Sequence, residues 1–262
     1  LATELIMCIL LLSYGQHPNY PLVVAANREE AYARPTKTAA FWEDTPDVLA
    51  GRDLLAGGTW LGITRHGRFA ALTNFRDPDL NLPDRPSRGR LVSDFLISNE
   101  APVAYLSQVA QHADQYNGFS LIVGHGDICG YYSNRGHEVR ALSPGLYGLS
   151  NSLLDEPWPK VTRGKQALSA VLSGDADVRP ESLFALLADR TVADDVELPS
   201  TGVDIEHERV LSPLFVSTPS YGTRSSTVIL LDRESTVTFI ERSFDGDPER
   251  YTTVSYRFHL LR

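Results

Sequence analysis

Residues 7–15 read MCILLLSYG, and residues 21–30 read PLVVAANREE. From Cys8 to Tyr14 the chain is an almost unbroken apolar run, closed by Gly15 and the Pro18-Asn19 pair. A short run of this kind between turn formers predicts a buried strand. Pro21 to Asn27 predicts a second strand, and the short loop between the two predicts a hairpin. On this reading Asn27 and Arg28 close the second strand, and Glu29-Glu30 enter a loop. The stretch Leu5 to Leu12 does not read as a signal peptide: it follows Glu4, has no basic flank and lacks a small-residue cleavage site. It is also too short to span a bilayer.

Outward from this hairpin, Thr59 to Thr64 and Arg68 to Phe75 predict further strands, with Gly and Pro between them. A proline-rich loop, Asp77 to Pro86, ends at Ser87, a candidate N-cap for a helix through Leu91, Phe95 and Leu96. Pro102 to Gln115 predicts a second helix. Strands return at Phe119 to Val123, Ile128 to Ser133, Glu138 to Leu142 and Leu146 to Ser150. Pro159 to Leu172 predicts a helix with Val161, Leu168 and Val171 on one side, and Pro180 opens another through Leu183, Leu186 and Leu187. Ser226 to Asp232, Thr236 to Glu241 and Thr253 to His259 complete the strands. Val192 to Ser212, acidic and without periodicity, predicts a long surface loop that borders a pocket. Runs of strands interrupted by helix pairs predict mainly antiparallel sheets covered by helices.

The net charge of -9, with no block among the 24 basic residues, makes nucleic acid and anionic membrane surfaces unfavoured partners. Two cysteines, Cys8 and Cys129, make no disulfide framework, and a reducing cytoplasm fits that count. The seven histidines include no H-E-x-x-H and no cysteine at zinc spacing, so no metal site is expected. Nothing in the sequence fixes an oligomeric state.

In an apolar strand a lone cysteine is ordinarily a small buried hydrophobe. Met7 changes the reading of Cys8. If translation begins there and the methionine is removed, Cys8 carries a thiol and a free α-amine on one carbon. An α-amine with pKa ~7.7–8.0 takes the proton of a neighbouring nucleophile without a histidine. Residues 1–7, including the initiator Met7, would then be an upstream extension or removed leader, and residues 8–262 a single domain. Left attached, the extension would turn the amine into an amide without basicity.

Four other segments carry polar side chains at the ends or starts of strands. In ANREEAYARP, Arg28 beside the first strand places a permanent charge near the Cys8 sulfur, or else pairs with glutamate at the surface. GGTWLGITRHGRFAALTNFR lacks the spacing of a phosphate loop; its Asn74 can aim an amide at an oxyanion or merely cap a turn. YGLSNSLLDEPWPK offers Asn151 as a second amide donor without a G-x-S-x-G elbow. YGTRSSTVIL places Arg224 just before a strand, where it binds an anion or covers surface.

Taken together, MCI, AANREE, GGTWLG, TNFR, GLSNS and YGTRSSTVIL followed by TFIER resemble the NRDE family, also called the transport and Golgi organisation protein 2 family. The resemblance runs from Met7 to about Arg242, with Glu29 standing where the name-giving tetrad has aspartate. That family is similar in turn to the cysteine branch of the N-terminal-nucleophile (Ntn) hydrolases, which contains penicillin V acylase and bile salt hydrolase. The resemblance implies an α+β fold, a four-layer αββα sandwich of two mainly antiparallel sheets. It implies Cys8 as nucleophile and base, Arg28 beside the thiolate, Asn74 and Asn151 around the tetrahedral intermediate, and Arg224 as a later active-site arginine. The Asn151 match rests on SNS resembling the acylases' TNSP. Asn27, Glu30, Trp60 and Thr73, in the same motifs, are candidates for substrate binding.

The expected function is that of a cysteine amidohydrolase acting on a small molecule's non-peptide C–N bond, without cofactor. The alternative is a non-catalytic carrier or trafficking factor that holds an apolar ligand such as haem or lipid in the same cleft.

Overall fold

The computed structural model describes residues 8–173 and 177–261. The expected upstream extension, residues 1–7, lies outside the described residues. The quoted stretch forms β1 (Cys8–Tyr14), buried along its whole length, and β2 (Leu22–Ala31), paired antiparallel from Cys8 opposite Arg28 to Tyr14 opposite Leu22. Gly15, at φ 63, turns the chain out of β1 in a conformation that glycine adopts without a Cβ penalty. Successive side chains of a strand point to opposite faces. Leu10, Leu12, Val24 and Ala26 therefore enter one core, and Ile9, Leu11, Val23 and Ala25 another. Burial on both faces explains why the run is continuously apolar instead of alternating.

The chain continues through β3 (Thr36–Phe41), β4 (Val48–Asp53), β5 (Leu61–Thr64) and β6 (Phe69–Asn74). Two helices follow, α1 (Gly89–Ile97) and α2 (Pro102–Gln111), and then β7 (Phe119–His125), β8 (Ile128–Ser133), β9 (Val139–Ala141) and β10 (Gly145–Leu149). Next come α3 (Pro159–Leu172), α4 (Pro180–Leu187) and α5 (Ile205–Leu211), and three strands complete the order: β11 (Tyr221–Leu231), β12 (Thr236–Phe244) and β13 (Tyr251–His259). One sheet has the order β10-β1-β2-β11-β12-β13, the other runs β3 to β9 in sequence, and the pairings are antiparallel.

Three apolar layers hold these elements together. Leu10, Leu12 and Val24 of the first sheet meet Ile63, Phe69 and Ile122 of the second. Leu91, Phe95 and Leu106 of α1 and α2 cover the outer face of the second sheet at Ala70, Leu72 and Leu121. Val161 and Leu168 of α3, with Leu183 and Leu187 of α4, cover the outer face of the first sheet at Ile9, Leu11 and Val228. The result is the αββα sandwich implied by the family resemblance.

Several local expectations need correction. β2 does not end at Arg28 but continues to Ala31, because β11 pairs with its charged end, Glu29 opposite Thr223, Glu30 opposite Gly222 and Ala31 opposite Tyr221. β3 and β4 were not foreseen; β3 carries Lys37 and two threonines in place of an apolar run. α1 begins at Gly89 with no hydrogen bond from a capping side chain. α2 stops at Gln111 and tightens into a 3-10 turn over Ala113–Gln115. Val192 to Ser212 is not a featureless loop: it contains a 3-10 turn and α5, whose cap Asp204 accepts the His207 N–H at 2.9 Å.

Asn27 pins β2 to the helical layer. Its Nδ2 donates to the Leu187 carbonyl at 2.9 Å and the Leu214 carbonyl at 2.8 Å, and its Oδ1 accepts from the Ser226 hydroxyl at 2.6 Å. Asn27→Ala strands these buried partners, so we expect a loss of about 3 kcal/mol, a fall in thermal midpoint on the order of 10 °C. A second constraint lies at Gly58, where an added Cβ would sit 2.5 Å from the Gly89 carbonyl carbon at the start of α1. Backbone cannot yield as a flexible side chain does. Gly58→Ala should cost about 1–3 kcal/mol by overpacking, measured by denaturant unfolding.

Candidate functional site

Alternation along β2 divides the tetrad Asn27–Glu30 between two faces. Arg28 and Glu30 line a cleft of about 310 Å³, together with Cys8, Asp53, Trp60 and Asn74. Cys8 begins β1, Asp53 ends β4, Trp60 precedes β5 and Asn74 ends β6, so strand termini of both sheets converge there. Arg34 joins them, and Arg85 and Arg88, in the segment that enters α1, form part of the lining. Thus four arginines and two carboxylates meet in one cleft of a chain whose net charge is -9.

The arginines are held in place. Arg28 is buried, lies 3.3 Å from Glu30 and 3.6 Å from Asp53, donates to Thr36 Oγ1 at 3.2 Å, and covers the Trp60 ring at 4.2 Å from its centroid. Arg34 bonds Asp53 at 2.7 Å. Asp53 also accepts the Leu55 and Ala56 N–H groups at 3.0 and 2.9 Å. Burial raises the Asp53 carboxyl, but the Arg34 hydrogen bond and these amides outweigh it, and its pKa lies below the usual carboxylate value. Charges paired this closely in a buried site define geometry more than they add stability.

Cys8 is fixed through its backbone. Its N–H donates to Asn151 Oδ1 at 3.0 Å, and its carbonyl accepts from the Ser150 hydroxyl at 2.8 Å. Asn151 Nδ2 donates to the Asn74 carbonyl at 2.9 Å, and the Asn151 carbonyl accepts the Arg76 N–H at 2.8 Å. The Asn74 side-chain amide makes no hydrogen bond among the described residues and lies against the cleft. Burial, and after it the Glu29 carboxylate, push the Cys8 thiol up to about 12, against the opposing pull of the Glu29 backbone N–H and of Arg28. At neutral pH the sulfur rests as a thiol, and any attack must remove its proton.

The expected site residues divide accordingly. Cys8, Arg28, Glu30, Trp60 and Asn74 share the cleft, and Asn151 contacts Cys8 from behind it. Asn27 faces the helices instead. Thr73 is buried and donates to the Ser150 carbonyl at 2.5 Å. Arg224 lies inside β11, not before it, and donates to the carbonyls of Ala31, Tyr32 and Arg34, at 2.9 Å for Ala31. Its position is a separate small cavity of about 50 Å³, shared with Arg28 and Trp60.

Sequence reasoning missed Arg34 and Asp53, and behind the cleft it missed Glu29 and Lys160. Both of the latter are almost fully buried, with Glu29 Oε2 and Lys160 Nζ lacking hydrogen-bond partners among the described residues. The available signal was Lys160 directly before Val161, at the start of a helix whose apolar side faces the sheet.

Among the described residues no group of three His, Cys, Asp or Glu is placed to hold a metal ion, and no helix is long and apolar enough to cross a membrane.

Comparison with known proteins gives a coherent assignment. A protein of Bos taurus, the transport and Golgi organization protein 2 homolog, is 40% identical over 275 aligned positions covering 97% of this chain and 99% of that protein. The Homo sapiens homolog is 38% identical with the same coverage, and the Drosophila melanogaster protein is 28% identical over 92% of this chain and 94% of its own. Among solved structures, a Caenorhabditis elegans N-acylethanolamine-hydrolyzing acid amidase ortholog is similar at 12% identity and a TM-score of 0.45, covering 85% of this chain and 92% of that one. The family described as Transport and Golgi organisation 2 matches residues 7–246, and with 40% identity to a full-length relative the chain belongs to that family.

Proposed function

We propose that the chain is a cysteine N-terminal-nucleophile amidohydrolase acting on a non-peptide C–N bond, with residues 1–7 removed so that Cys8 is terminal. The observation that carries this reading is the 3.0 Å bond from the Cys8 nitrogen to Asn151 Oδ1. The atom that would become the α-amine is already held at the back of a cleft that also contains the thiol, Arg28 and Asn74.

The chemistry follows from these groups. As the sulfur–carbon bond forms, the thiol proton passes to the α-amine, and the carbonyl electrons move to oxygen. The Asn74 amide donates to that oxyanion, while Asn151, already engaged with Cys8 and Asn74, positions the nucleophile. The C–N bond breaks, the ammonium returns its proton to the leaving amine, and water hydrolyses the thioester. Arg28 opposes the burial that keeps the thiol neutral, and its own position is fixed by Glu30, Asp53 and Trp60.

The alternative, a carrier for an apolar ligand, has less support. Four arginines and two carboxylates make a polar wall, and Cys8 is the only cysteine, histidine or tyrosine lining the cleft among the described residues, a meagre choice of axial ligands for haem.

Protein beginning at Cys8 should form a mass adduct on that residue with an acyl or β-lactam probe and turn over a chromogenic amide. Protein retaining residues 1–7 should not turn over. Cys8→Ala should abolish turnover, and Asn74→Ala should lower it by roughly 10²–10³. Absence of a Cys8 adduct in the shortened protein overturns the proposal.

A further inference from the structure

The cleft is larger than the catalytic groups it holds, and the part of its wall that the mechanism above does not use is basic. Two of the lining arginines are already compensated. Glu30 lies 3.3 Å from Arg28 and 3.5 Å from Arg34, and Asp53 lies 3.6 and 2.7 Å from the same two. Arg85 and Arg88 complete the charged lining, which among the described residues holds no further carboxylate. Four arginines against two carboxylates leave the cleft an excess of two positive charges, in a chain whose net charge is -9. The surface at large repels an anion, and this cleft attracts one.

The segment that carries these two arginines is tied down. At Leu82 the N–H donates to Asn117 Oδ1 and the carbonyl accepts from Asn117 Nδ2, both at 2.9 Å, and Asn117 itself lines the cleft. Arg88, half-buried, donates to the Gly118 carbonyl at 2.9 Å, and the Gly89 carbonyl accepts the Thr59 N–H at 3.2 Å, next to Trp60. Arg85 is exposed, and its one hydrogen bond among the described residues is a long one, 3.4 Å to the Gln115 carbonyl. A guanidinium presents five N–H donors in a fork that matches a carboxylate or phosphate, so most of those on Arg85 are open to a ligand. Apolar lining is scarce: Ala56, Leu72, Pro86 and Trp60, whose ring Arg28 already covers. At about 310 Å³ the cleft stands at the small end of ligand sites, which run from about 300 to 1,000 Å³.

We infer that the substrate is a small amide bearing an anionic oxygen group, a carboxylate or a phosphate, which Arg85 and Arg88 hold while the amide carbonyl lies at Cys8. The inference rests on the reading of Cys8 as a nucleophile and narrows it to a class of substrate. It divides the four arginines by task. Arg28 and Arg34, locked by Glu30 and Asp53, shape the floor beside the thiol, whereas Arg85 and Arg88 select what enters. The second pair takes no part in bond cleavage, and its contribution is specificity for charge.

The test uses three thiol-alkylating probes of one chain length: the N-chloroacetyl derivatives of γ-aminobutyrate, of its amide and of aminopropylphosphonate. In each, Sγ displaces chloride, and only the terminal group differs. Labelling is read at the Cys8 peptide by mass spectrometry, separately from Cys129, in the full chain and in the protein beginning at Cys8. Each rate is divided by that with free cysteine, which removes the probes' intrinsic reactivity. At least one acidic probe should then outpace the neutral one by about tenfold, the scale of one charge-assisted pair, and added salt should erode the preference. Arg88→Gln should lower that ratio, and Arg85→Glu should remove or reverse it. All probes meet the same sample, so any loosening of the site cancels in the ratio. Arg85 is exposed, so its variant decides the matter even if Arg88→Gln does not fold. Equal normalised rates with Cys8 labelled overturn this inference and leave the nucleophile intact, as does a preference that neither variant alters. If no probe labels Cys8 in either form of the protein, the nucleophile reading falls and this inference falls with it.

Discussion

The pairing of β2 with β1 on one side and β11 on the other is the constraint on which the site depends. Cys8 stands opposite Arg28, and Arg28 opposite Ser225 across an irregularity between Thr223 and Ser225. That register commits Arg28 and Glu30 to the cleft, and Asn27 and Glu29 to the helices. A one-residue slip would exchange them, placing Glu29 in the cleft and burying Arg28 under α3 and α4. The apolar stretches oppose the slip only through shape, because it would take Val23 and Ala25 of β2 out of the helical core and put Val24 and Ala26 in their place. The Asn27 bonds to Leu187 and Leu214 add a polar lock that only one register satisfies.

From this register the site's electrostatics follow in layers. In the cleft, Arg28, Arg34, Glu30 and Asp53 neutralise one another and orient the Arg28 guanidinium over Trp60. Arg85 and Arg88, further along the lining, give the cleft its positive excess. Around Cys8 the balance is tighter. Burial alone suffices to keep Cys8 protonated, and Glu29 reinforces it, so a reactive thiol requires an acceptor for the proton at the moment of attack. The Cys8 nitrogen is fixed by Asn151, whose carbonyl and side chain tie β1, the end of β6 and Arg76 into one network.

The layers of the fold were legible where period and apolarity agree. β1, α3 and α4 could be delimited nearly to the residue, because each buries an apolar face between unambiguous proline or glycine boundaries. β3 and the charged end of β2 were not. Their residues pack against neighbouring strands and against each other's charges, and a single sequence registers such burial only as polarity. α5 was hidden for the same reason: Glu208 is the buried face of a helix that reads as acidic surface, and its partner Arg76 lies more than a hundred residues earlier. Of the candidate site, the residues carried by motifs at strand ends could be named, and five of them share the cleft. The distinction between Arg28, which lines the cleft, and Arg224, which caps the carbonyls of the 31–34 turn, depends on a β11 irregularity that no local pattern announces.

The departure of the tetrad from aspartate to glutamate at position 29 takes on meaning in this setting. The longer side chain extends one carboxylate oxygen to Thr223 of β11 and leaves the other without a hydrogen bond among the described residues. A shorter side chain there would keep its charge nearer the β2 backbone and farther from the Thr223 hydroxyl. A buried carboxylate that loses a hydrogen bond bears more of the cost of its own burial. Chain length at this one position therefore decides whether the buried carboxylate keeps its hydrogen bond to β11.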